Sequence, residues 1–345
     1  MGTTDFWRPQ TAVAITGLVL LLVLAGCQSK NRTVGQQTMS DSAFQNQRLA
    51  QLTDSIEKFP DSAHFYFERG ALHFVTENYP DAKSDLKKAI LLNPMESLYY
   101  TALGQLFFSQ DIFDSAVANF QKAVKVAPDN KRARLQLAFG LFKQARYTLA
   151  LQQTDSLLQL DSELTRAMGL QSQIYEALGD TAHALMVMKK VIALPPVSYD
   201  AWMRMGDLLL AQGSEDALIY YKKAAAKDST AAEPYYCMGL LYEKQGKPDS
   251  ATKAFGRSIV KDPNYVDAYL RLGGLYERDK NWEKAEKIYT LAIKMSPANG
   301  DAYYHRGLAF EHLQNKEAAA QDYQQALIFD SDNQSARDAL KRVQP

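Results

Sequence analysis

Cysteine is nearly absent from these 345 residues: the chain has two, Cys27 and Cys237. If Cys27 has the covalent role argued below, no intrachain disulfide framework is left, which excludes small scaffolds stapled by disulfides. Proline and glycine are sparse, at 12 and 18, so a collagen-like or low-complexity chain is excluded. Surplus charge of either sign is missing too. Lys plus Arg and Asp plus Glu each total 39, so no long-range field draws nucleic acid or an anionic membrane, and no nucleic-acid partner is expected. What is present is 46% apolar residues, enough for a large interior.

Catalytic patterns are missing as well. The chain holds no G-x-x-x-x-G-K-[ST], no G-x-G-x-x-G after a strand, no H-E-x-x-H and no G-x-S-x-G. Of five histidines, His305 and His312 share a helical face, but seven residues apart is two turns, too far for the usual i, i+4 metal pair. His64 and His73 do not share a face closely. The reading is therefore no enzyme, with no catalytic residue, no metal and no cofactor assigned. Cys237 falls within a predicted helix and reads as a small half-buried side chain rather than a reactive thiol.

One long apolar run exists, Thr11 to Cys27, TAVAITGLVLLLVLAGC. It is short for a bilayer-spanning helix and ends in small residues, as a cleaved signal peptide does, the other reading being an uncleaved anchor. Its last four residues, Leu24, Ala25, Gly26 and Cys27, resemble the lipobox of bacterial lipoproteins. That resemblance implies cleavage of a signal peptide (1–26), acylation of Cys27 and attachment to a membrane through that lipid. Residues 27–39 are polar and read as a flexible tether. By the same resemblance, Gln28 is not the Asp that retains lipoproteins in the inner membrane. The implied location is the bacterial cell envelope, at the outer membrane facing the periplasm.

Beyond the tether the sequence repeats itself. Gly70, Gly104, Ala138, Ser172, Gly206, Gly239, Gly273 and Gly307 stand 34 residues apart, except for one step of 33. Ala82, Ala116, Ala150, Ala184, Ala251, Ala285 and Ala319 follow twelve later, and Ala217 follows eleven later. Two antiparallel helices need small residues where their backbones approach, and bulky ones on either side of that point. Tyr66, Tyr100, Trp202, Tyr235, Tyr269 and Tyr303 stand four residues before the small position. Phe120, Tyr221, Phe255, Tyr289 and Tyr323 are plugs supplied by the second helix. Pro94, Pro128, Pro196, Pro263 and Pro297 end second helices, and the Asn and Asp residues beside them are expected caps for the next helix.

This pattern resembles the tetratricopeptide repeat (TPR) family over residues 61–331. The resemblance implies an all-α fold, a right-handed α-solenoid of antiparallel helix pairs, with about eight repeats between an N-terminal capping helix (40–60) and a C-terminal one (332–345). Copies three and four depart most from the pattern, through Arg134, Ala138 and Thr154 in one and Met168, Gln171 and Ser172 in the other. Sequence drift and a built-in hinge both fit that departure.

In this family the first helices line a concave groove. The positions that fall there, and so the expected partner-binding residues, are Phe67, Phe74, Phe108, Leu135, Phe139, Phe142, Met203, Tyr236, Leu270 and Tyr304. The alternative is that several of these rings only pack between repeats. Glu176, Glu243, Glu277 and Glu311 add an acidic row, while Asp200, Glu233, Asp267 and Asp301 sit in first turns, where a carboxylate meets the positive end of the helix dipole. The Lys and Asn of repeats that clamp a partner's C-terminal carboxylate are missing from the matching rows, so a receptor of that kind is not expected. The function implied is a lipid-anchored scaffold for protein or peptide partners of the cell envelope. The alternatives are a glycan- or ligand-binding accessory protein and, last, a hydrolase.

Overall fold

The computed structural model describes residues 41–344, so Cys27, the signal peptide and the tether lie outside the described residues. Among the described residues there are eighteen α-helices and no strand. α1 (Asp41–Lys58) stands alone before eight helix pairs. The first four pairs are α2 (Ala63–Val75) with α3 (Tyr79–Leu92), α4 (Ser97–Ser109) with α5 (Phe113–Val126), α6 (Lys131–Lys143) with α7 (Tyr147–Leu160), and α8 (Thr165–Ala177) with α9 (Thr181–Ala193). The last four are α10 (Tyr199–Ala211) with α11 (Ala217–Lys227), α12 (Glu233–Lys244) with α13 (Pro248–Lys261), α14 (Val266–Arg278) with α15 (Trp282–Met295), and α16 (Gly300–His312) with α17 (Lys316–Phe329). A single helix, α18 (Gln334–Val343), follows. The chain packs as two compact units that divide between Lys190 and Val191, each described by itself below.

Each pair is built on its small residue. A Cβ added at Gly273 would lie 2.4 Å from the Tyr289 ring, one at Gly239 2.4 Å from Phe255, and one at Gly104 or Gly206 2.5 Å from Phe120 or Tyr221. Those four rings are fully buried, as is Tyr323 against Gly307. Gly is thus required by the close approach of a ring to a backbone. In the fourth pair Ser172 takes the place of Gly, and its Oγ donates 3.1 Å to the carbonyl of Ala184, the small residue of the facing helix. The departure seen in the sequence is met by a local hydrogen bond.

The turn inside each pair has one conformation. Glu77, Asp111, Ala145, Gly179, Gly213, Gly246, Lys280 and Gln314 all have φ between +56° and +78°, and all stand seven residues after the small position. The left-handed residue closes each first helix with the two crossed bonds of a Schellman turn, for example Asn78 N to His73 O and Glu77 N to Phe74 O. Helix starts are capped by Asn130, Ser198, Asn299 and Asn333, whose side chains accept from the N–H three residues on. The Asp-Pro-Asn segment before α14 departs from the capping expectation. There Asp262 accepts from the Asn264 N–H within the loop, and Tyr265 occupies the cap position.

In the first unit one core runs from Phe67 to Ile174, joining all four copies. α1 packs on α2 through buried Leu52 and Ile56. In the second unit α18 lays Ala339 and Val343 on Ala319 and Tyr323 of α17. Both lone helices cover an apolar face that would otherwise lie open at an array end.

Candidate functional site: the inner face of the first helices

Within the first unit α2 touches α4, α4 touches α6 and α6 touches α8; within the second, α10 touches α12 and α14 touches α16. First helices therefore form the inner wall of each unit. Four positions on each first helix share the inward stripe: six and three residues before the small residue, and one and four after it.

The ten expected groove residues divide sharply by depth. Phe67, Leu135, Phe139 and Met203 are only 3%, 8%, 3% and 5% exposed, so as partner contacts they are corrected here to core residues. Where neighbouring first helices meet, the side chain three before the small residue is caught beneath the next helix. The Phe67 ring lies 5.1 Å from Tyr99, and Phe139 sits between Phe108 at 5.2 Å and Phe142 at 6.4 Å. Tyr236, Leu270 and Tyr304 are half-buried. Tyr236 packs against Phe255 and Tyr265, and Tyr304 against Tyr323. The position four after the small residue stays more open. Phe74, Phe108 and Phe142 are half-buried there, packed against the core, and form an aromatic ladder across the first three copies, each ring resting on Tyr79, Phe113 or Tyr147 at the start of its second helix.

In the second unit that same position carries the glutamates, and they are not free. Glu243 pairs with Arg278 and Glu311 with Arg342 at 3.1 Å, each a cation from the following copy or cap, and Glu277 meets the His305 ring of the following copy at 3.0 Å. The Tyr323 hydroxyl donates to Glu311 at 2.6 Å, and Tyr289 is hydrogen-bonded to Glu277. Burial alone would raise the Glu311 carboxyl, but the Arg342 and Tyr323 hydrogen bonds outweigh it and hold the pKa below the ordinary value. The expected acidic row is thus already engaged by side chains of the neighbouring copy or cap rather than standing free.

The second unit also gathers Tyr199, Asp207, Tyr221, Glu233 and Cys237. Tyr221 donates to Asp207 at 2.9 Å and Tyr199 to Glu233 at 3.4 Å. Desolvation raises the Asp207 carboxyl pKa against the pull of Tyr221 and Arg204. Desolvation, then the charge of Asp207, raises that of Glu233. Burial first, then Asp207 and Glu233, push the Cys237 thiol well up, so it stays protonated and unreactive. The first-turn reading of Glu233 was incomplete, since the carboxylate is also drawn into this cluster.

Two ion pairs escaped the sequence reading. Arg69 holds buried Asp85 bidentately at 2.7 and 2.8 Å, and Arg306 holds Asp322 at the same two distances. Each arginine also reaches a threonine sixteen residues back, Thr53 or Thr290. The available signal was Arg directly before the small Gly with Asp directly before the plug. Among the described residues no group of three metal-ligating side chains occurs, and no helix is long and apolar enough to cross a membrane.

With this geometry in place the comparisons with known proteins decide the family. Its sequence profile, described as tetratricopeptide repeat, matches residues 73–131, 101–164, 170–232, 236–299 and 281–336. The chain belongs to the tetratricopeptide repeat family. TPR proteins are in general scaffolds and adaptors rather than enzymes. This TPR chain is 24% identical to the mouse mitochondrial import receptor subunit TOM70 over 57% of its own length and 34% of that protein. It is 32% identical to the bovine SGT1 homolog over 23% of each. It thus spans about a third or less of the length of these relatives. Two solved TPR structures share the fold. One from Cytophaga hutchinsonii has a TM-score of 0.56 at 17% identity, covering 69% of this chain and 98% of that one. One from Parabacteroides merdae has a TM-score of 0.52 at 18% identity, covering 72% and 98%.

Proposed function

We propose that this TPR chain is a non-catalytic scaffold that holds protein or peptide partners against the inner faces of its first helices, and that it is anchored to a bacterial envelope membrane through lipid on Cys27. The observation that carries the scaffold reading is the ladder of Phe74, Phe108 and Phe142. These are three large rings at one register position, partly open beside the closed Phe67, Leu135 and Phe139. Their open edges line up as one apolar strip, and contiguous apolar surface of this kind marks interaction sites. A relative that is a subunit of an import receptor is consistent with a protein-binding role. The anchor rests on the sequence Leu24-Ala25-Gly26-Cys27.

A photo-crosslinking amino acid placed at position 108 or 142 should capture a defined protein, while one placed at Leu91 or Val260, exposed on second helices, should not. Equal capture from both faces would sink the scaffold reading. For the anchor, the wild-type chain expressed in bacteria should incorporate a labelled fatty acid and Cys27→Ser should not. Label persisting in the variant would remove Cys27 from the proposal.

A further inference from the structure

The row six residues before the small position splits by charge. In the second unit it holds Asp200, Glu233, Asp267 and Asp301, carboxylates in first turns where the helix dipole favours them. In copies three and four of the first unit the same position holds Arg132 and Arg166. They stand in the first turns of α6 and α8, two helices in contact. There a cation opposes the helix dipole, and the contact between the two helices brings the two positive first turns together. Desolvation and the charge of Arg166 both lower the pKa of Arg132. Neither arginine has an ion pair or hydrogen bond among the described residues, whereas the adjacent Lys131 pairs with Asp161 at 2.8 Å and Arg134 bonds Gln153 and the Pro128 carbonyl. Two arginines in the first turns of touching helices, set against their dipoles and without a counterion among the described residues, form an arrangement that folding alone does not favour.

Resting on the scaffold reading, we propose that Arg132 and Arg166 form an anion-recognition site on the inner face of copies three and four, and that its ligand is an acidic, extended segment of a partner protein. The site takes two carboxylates by bidentate pairing. Arg132 begins the α6 stripe that runs over the buried Leu135 and Phe139 to the half-buried Phe142, so a segment lying along it meets cations first and an aromatic ring last. Gln136 stands one turn after Arg132 on the same helix and is half-buried, so its position can offer an amide group to a peptide backbone. The chain's own N-terminal segment does not supply the ligand chemistry, since residues 9–40 contain no Asp or Glu. Nucleic acid is disfavoured by the zero net charge of the chain.

The test uses the purified chain and a fluorescein-labelled peptide of alternating Glu and Phe, with Lys–Phe and Gln–Phe peptides of equal length and oligothymidylate as comparisons. The Glu–Phe peptide should bind in preference to the others, lose affinity as salt rises, and bind about tenfold or more weakly to Arg132→Gln with Arg166→Gln. The exposed single variant Arg166→Glu should weaken it as well and tolerate the Lys–Phe peptide better. Without ligand the double variant should be at least as stable as wild type, because like-charge repulsion is relieved. Absence of Glu–Phe binding, equal binding by wild type and variants, no preference over the other peptides, or a destabilised double variant would overturn the proposal. So would preferential, arginine-dependent binding of oligothymidylate. Each of these results leaves crosslinking at positions 108 and 142 untouched, so the scaffold reading stands or falls separately.

Discussion

At Gly273 an added methyl would meet the rigid, fully buried ring of Tyr289, which has no free space to move into. Gly273→Ala should therefore destabilise the second unit by about 1–3 kcal/mol in urea titration, the usual cost of overpacking. Gly256, inside α13, has nothing within 4 Å of its would-be Cβ. Gly256→Ala should stabilise by about 0.5–1 kcal/mol, by helix propensity alone. Equal signs for the two changes would show that the ring contact does not set the glycine row. Asp207 provides a pH test. Its folded pKa is raised by desolvation, so the native state binds more protons than the unfolded chain, and the stability this group contributes is lost as pH rises through its folded value. Asp207→Asn keeps an acceptor for Tyr221 and removes the charge. Its advantage over wild type should be absent at the pH of an ordinary unfolded carboxyl, grow as pH rises and then level off. An advantage that shrinks with rising pH would refute the assignment.

Between helices, the bidentate arginine pairs are the joints that hydrophobic patterning did not reveal. Arg306→Met leaves the Asp322 carboxylate, 7% exposed, without its cation, and should cost about 3–5 kcal/mol. Replacing both residues, Arg306→Met with Asp322→Leu, should recover most of that loss, which a double-mutant cycle in denaturant measures directly. The helices themselves were legible in the sequence because Gly, Ala and ring positions recur in register over eight copies. The pairs were not, since an Arg at one position and an Asp sixteen residues later become partners only when the second helix folds back. The same limit applies to the groove: Phe139 and Phe142 are alike as letters, but one lies under the neighbouring helix and the other rests at its rim.

Over the whole chain, stability should be local, because repeats touch mainly their neighbours. Truncation after Asp332 removes α18, exposes the Ala319 and Tyr323 face and deletes the Arg342 partner of Glu311. Hydrogen exchange should then accelerate in α16 and α17 and stay unchanged in α2 to α7, in the first unit. Uniform acceleration along the chain would contradict nearest-neighbour behaviour. Period, helix pairing and the small-residue contacts were determined by the sequence alone, because each follows from steric rules that act within about 34 residues and recur. Which inward side chains stay partly open, which acids are met by a side chain of the next copy and that the first turns of Arg132 and Arg166 come together were decided only by the tertiary structure. Burial and charge pairing depend on the distance between neighbouring helices, and that distance is set by all the side chains between them at once.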